Sequence, residues 1–86
     1  MPSVQIDDAD VDILTMENRV NVYIDLRGME TRESSIAIRA DISTVYVYDM
    51  DSRNVIKIVR LPVQIKTSPV SYYLRNGVLG ITLERL

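Results

Sequence analysis

Three carboxylates alternate near the start of the chain, Asp8, Asp10 and Asp12, in the rhythm by which a calcium loop presents its oxygen ligands. Such a loop also needs a glycine at its sharp turn and a distal glutamate, and the sequence supplies neither. The alternation reads as a solvated acidic strand or tail, and no metal site is expected. Glu30 with Glu33, and Asp49 with Asp51, are spaced for acid/base work. Each pair lies in a turn-like stretch with no apolar run to raise a carboxyl pKa. Ser34, Ser35, Thr67 and Ser68 have hydroxyls but no base: the 86 residues contain no histidine and no cysteine. Gly77-Val78-Leu79-Gly80 is not a phosphate loop, because no helix follows it. No catalytic set and no cofactor site is expected, so the function to look for is binding.

The elements that could build a binding surface are strands. "RVNVYIDLRG" places Val20, Val22, Ile24 and Leu26 on one face and Asn21, Tyr23, Asp25 and Arg27 on the other, the period of a half-buried strand. "DVDILTME" precedes it, and residues 17–19 form a polar break of hairpin length. "METRESS" alone has helix-like composition, but seven residues make at most one helical turn in a loop. "SIAIRAD" sets Ile36, Ile38 and Ala40 on one side. "TVYVYDM" sets Val45 and Val47 against Tyr46 and Tyr48, with residues 41–44 joining the two runs. "DMDSRN" is a turn, "VIKIVRLP" a strand ended by Pro62, "KTSP" a second break, and "VSYYLRN" a further strand. Asn76-Gly77 signals a tight turn into "VLGITLERL". Seven or eight short, evenly spaced strands without a helix of useful length predict an all-β protein, an antiparallel sandwich or small barrel.

Bulk properties exclude several partners. Eighty-six residues support one small core. Ten basic and twelve acidic residues are scattered, without the basic stripe that nucleic acid requires. No run of about 18 apolar residues could span a membrane, and Asp7, Asp8, Asp10 and Asp12 stand where a signal peptide would be basic and apolar. The absence of cysteine suits a reducing compartment, so a cytoplasmic location is expected.

The order of these landmarks resembles the α-crystallin domain of small heat-shock proteins. "VDILTMENRVNVYIDLRGM" is similar to that domain's opening strand pair, "IAIRADISTVYVY" to its next pair, "VRLP" to its I-K-L-P-type strand ending, and "NGVLGITL" to its G-V-L signature. The resemblance implies an immunoglobulin-like β-sandwich over residues 11–86, with residues 1–10 as an extension or edge strand and the G-V-L strand central in one sheet. It also departs from the family pattern. Arg27 replaces the usual proline of L-P-G, Tyr72 an alanine, and Glu84 a proline, while the loop that carries a swapped strand in many relatives shrinks to residues 49–54. The family's variable arm and its I-x-I/V tail have no evident counterpart, and in outline the chain is also similar to CS-domain co-chaperones and to the α-crystallin-like domain of some ArsA-type ATPases.

By position, the resemblance implies a groove for client or tail segments lined by Ile36, Ile38, Ala40, Tyr72 and Leu74; the same residues are equally readable as sandwich core. Alternation in "VIKIVRL" puts Val55, Val59 and Leu61 on one face and Ile56 and Ile58 on the other. On a sheet edge, Ile56 and Ile58 would invite strand pairing and a weak homodimer; a loop packed over them is the alternative. The expected function is an ATP-independent, non-enzymatic chaperone domain of the small heat-shock class that binds exposed apolar segments of unfolded or partner proteins. The alternative is a CS-like adaptor docking one specific partner.

Overall fold

The computed structural model describes residues 10–86, so most of the expected N-terminal extension, with Asp7 and Asp8, lies outside the described residues. Seven strands follow one another: β1 (Val11–Thr15), β2 (Arg19–Asp25), β3 (Ile36–Ala40), β4 (Thr44–Asp49), β5 (Asn54–Arg60), β6 (Ile65–Arg75) and β7 (Val78–Arg85). They form two antiparallel sheets, one ordered β1-β2-β7-β6 and the other β3-β4-β5. This is the expected immunoglobulin-like sandwich, and the G-V-L strand β7 sits between β2 and β6 as anticipated.

Alternation in the sequence becomes two facing apolar surfaces. Val20, Val22 and Ile24 of β2 and Leu79, Ile81 and Leu83 of β7 are buried from one sheet, Val45, Val47 and Val59 from the other, with Leu26, Ile36, Leu61 and Ile65 completing the core. The β1–β2 hairpin closes where the amide of Met16 donates to the carbonyl of Arg19 at 2.8 Å. Asn76 and Gly77 take φ values of 52° and 80°, the left-handed pair that a two-residue hairpin turn requires. Glycine is needed at 77 for a second reason: a Cβ there would stand 2.5 Å from Arg27 Cγ, while the Gly77 carbonyl accepts the Leu26 amide at 2.7 Å. Beside this turn the Arg27 guanidinium and amide both donate to Asp25, which holds the Asp25 carboxyl at about 2 and raises Arg27 above its ordinary value.

Two local expectations need correction. The pairing of β4 with β5 shifts between Val47 and Tyr48: Val47 stands opposite Lys57, Tyr48 opposite Val55, and Ile56 is the extra residue of a bulge. One inserted residue reverses the alternation beyond it. Ile56 therefore turns to pack against the core, and Val55 stands outward with Ile58, each 52% exposed. The "KTSP" break is likewise not a strand boundary. It lies inside β6, whose pairing with β7 loses register between Ile65 and Val70. "METRESS" does contribute its single turn, the 3-10 helix η1 (Glu33–Ser35).

Candidate groove at the open sheet edges

Among the described residues, β3 ends one sheet and β6 ends the other, and these two edge strands lie beside each other at one side of the sandwich. At one end of this seam the edges are joined by side chains. The Tyr72 hydroxyl donates to the Ile36 carbonyl at 3.1 Å, and Glu33 Oε2 accepts the Leu74 amide at 2.8 Å. Glu33 is held there by the geometry of η1. Ser35 Oγ and the Ser35 amide donate to the Arg32 carbonyl at 2.8 and 2.9 Å, the Met50 amide donates to Ser35, and Arg32 pairs with Asp51 at 2.6 Å. That pairing raises the Arg32 guanidinium above its ordinary value. The loop before β3 is thus tied to the β4–β5 turn.

Toward the other end the seam widens into an open groove of about 780 Å³. Its walls include Ile38 and Ala40 of β3, Val70 and Thr67 of β6, and, around the outer side of β3, Ala37, Arg39, Asp41, Tyr46 and Tyr48. Backbone groups alternate sides along a strand. Because the Ile36 carbonyl points to the seam, those of Ile38 and Ala40 do so too; because the Leu74 amide points to it, so do the backbone groups of Tyr72 and Val70. The open half of the groove therefore combines apolar side chains with two rows of backbone donors and acceptors. That combination is what an extended peptide segment matches.

The residues expected to line a groove are divided by this geometry. Ile38 and Ala40 line it, half-buried and packed against the core. Ile36 is only 4% exposed and belongs to the core, so it contributes its carbonyl and not its side chain. Tyr72, 39% exposed, and Leu74, partly buried, sit at the closed end. Val70 was legible from the same period-two pattern as Tyr72 and Leu74. Ala37 and Arg39 were not, since they face away from Ile38 and join the site only because the groove wraps an edge. Ile58 lies on the other free edge of the three-stranded sheet, where Ile56 is turned inward. Among the described residues no cluster of three or more candidate ligands could hold a metal, and no helix is long and apolar enough to cross a membrane.

The fold has counterparts of known structure. Heat shock protein 16.0 from Schizosaccharomyces pombe superposes with a TM-score of 0.70 over 91% of this chain, at 15% identity. The nuclear movement protein from E. cuniculi GB-M1 does so with a TM-score of 0.63 over 90% of this chain and 86% of its own, at 16% identity. The likeness is one of fold. The chain spans 66% of the heat shock protein, somewhat less than two thirds. No protein-family model and no curated protein sequence matches the chain.

Proposed function

We propose that this domain binds proteins without making or breaking bonds, capturing an extended apolar segment along the free edges of β3 and β6 as an ATP-independent chaperone-type domain of the small heat-shock kind. The observation that carries the reading is the open half of the seam, where Ile38, Ala40 and Val70 stand beside backbone groups turned away from their own sheets. The fold shared with a small heat shock protein supports it. The lack of cysteine fits a reducing compartment, and a cytoplasmic location is part of the proposal. Suppression of aggregation of a thermally unfolded client, measured beside the size of the complexes formed, tests it. Suppression at near-stoichiometric ratios supports capture of unfolded chains.

A second reading, an adaptor that docks one folded or unstructured partner, is favoured by the closure at Tyr72 and Glu33, which shortens the groove to a single small segment. Failure to suppress aggregation, together with saturable binding of one short peptide, selects this reading. Under either reading the β5 edge, with Val55 and Ile58 outward, is proposed to pair weakly with a second copy.

A further inference from the structure

We infer that the groove selects a segment of the form apolar–acidic–apolar, with Arg39 pairing the acidic residue and the Glu33–Tyr72 closure limiting the segment to two apolar positions. The inference rests on the groove reading and specifies its partner. A segment hydrogen-bonded along the free edge of β3 becomes the next strand of that sheet. Its side chains must alternate, two facing inward beside Ile38, Ala40 and Val70, and the one between them facing outward beside Arg39. Arg39 is exposed, its neighbour across β4 is Tyr46, and it makes no ion pair among the described residues. Arg27, Arg32 and Lys66 by contrast each hold a carboxylate. The carboxylate in the groove wall, Asp41, accepts the Ile42 amide at 2.6 Å. The β3 edge thus offers an outward cation to an incoming strand, at the position between the inward-facing Ile38 and Ala40. Length is set at the other end, where the Ile36 carbonyl and the Leu74 amide are already taken by Tyr72 and Glu33.

The test is an NMR titration of the full chain with three acetylated, amidated peptides: Ser-Val-Glu-Val-Ser, Ser-Val-Lys-Val-Ser, and a longer Ser-Val-Glu-Val-Thr-Val-Ser. At low ionic strength the glutamate peptide should bind roughly three- to tenfold tighter than the lysine peptide, a preference that shrinks toward unity near 1 M salt. Arg39→Glu should invert it. The third valine should add nothing with the wild type and roughly fivefold once Glu33→Ala and Tyr72→Phe are combined. Glu33→Gln, whose amide oxygen still accepts the Leu74 amide, should keep the length limit, and a gain from the third valine in this variant overturns the role given to that hydrogen bond. Binding of the glutamate and lysine peptides with equal affinity, or an Arg39→Glu variant with unchanged preference, overturns the charge assignment while leaving the groove standing. A gain from the third valine in the wild type overturns the length assignment. If no peptide perturbs the amides of Ile38, Ala40 or Val70, the groove reading itself fails and this inference falls with it.

Discussion

Ile38→Asp separates a groove wall from a core residue, and Ile36→Asp, two positions earlier on the same strand, is its control. Ile36 is 4% exposed, so a carboxylate there has no water and no partner, which costs several kcal/mol. A domain of this size holds about 4 to 13 kcal/mol in all, taking roughly 0.05 to 0.15 kcal/mol per residue. Ile36→Asp should therefore unfold the protein or leave it barely folded. Ile38 is half-buried beside an open groove. Its replacement forfeits about 1 kcal/mol of apolar burial, roughly half the value of a fully buried isoleucine, and the new carboxylate can turn toward solvent. The expected loss is about 1 to 3 kcal/mol once partial desolvation of the carboxylate is added. Urea unfolding followed by circular dichroism should show a cooperative transition at a lower midpoint with an unchanged slope. The same variant should lose aggregation suppression and peptide binding. If Ile38→Asp unfolds as Ile36→Asp does, Ile38 is core and the groove is not open to side chains. If it remains folded and still binds, binding occurs elsewhere.

Ile58→Lys should abolish association through β5 by placing like charges near the two-fold axis, with sedimentation at high protein concentration showing a monomer and thermal unfolding of the dilute variant unchanged. Self-association that survives this change rules out the β5 edge. Gly77→Ala combines a left-handed φ with a 2.5 Å approach to Arg27 Cγ, and should cost about 1 to 3 kcal/mol in chemical unfolding; a neutral result refutes the turn geometry. Asp25, held at about 2 against an ordinary 3.8, binds fewer protons folded than unfolded, so its contribution is full above pH 4 and is lost as pH falls through 2. Asp25→Asn should flatten that part of the acid limb, modestly because the Arg27 side of the pair is exposed, and leave stability below pH 2 unchanged; an unaltered acid limb refutes the pairing.

The parts of the fold that were legible are those in which period-two alternation runs unbroken. β2 reads directly from Val20, Val22 and Ile24, and the β6–β7 hairpin from Asn76-Gly77, because local chemistry and burial agree there. Alternation fails where a strand gains a residue. Nothing in "NVIKIVR" marks Ile56 as the bulged position: Val55, Ile56 and Ile58 are all β-branched and apolar, so each suits either face. The partner strand settles it, since Tyr48 stands outward and draws Val55 to its side. "KTSP" misled for the complementary reason. Its residues favour a turn, yet β6 is an edge strand, where a proline and a loss of register interrupt no second ladder. The groove was half legible, because alternation names Ile38 and Ala40 but an edge brings both faces of a strand into one site.

The proposed chaperone and adaptor readings differ in how much of the seam they need open. A domain that holds varied unfolded clients needs apolar area that tolerates many sequences, whereas a short apolar groove with a closed end discriminates. Tyr72 narrows one end of the seam, where its hydroxyl bridges to the Ile36 carbonyl. Removing that hydroxyl by Tyr72→Phe loses one hydrogen bond of about 0.5 to 1.5 kcal/mol, and Tyr72→Ala would also open the narrowed end. If the closure is what makes this domain selective, Tyr72→Ala should broaden the set of peptides bound and raise aggregation suppression, while lowering affinity for the short two-valine peptide that the closed groove fits. A panel of unrelated apolar peptides, titrated against the wild type and Tyr72→Ala, decides it. Equal breadth in the two proteins means that Tyr72 only packs the seam, and selectivity must then come from Arg39 and the β3 edge alone.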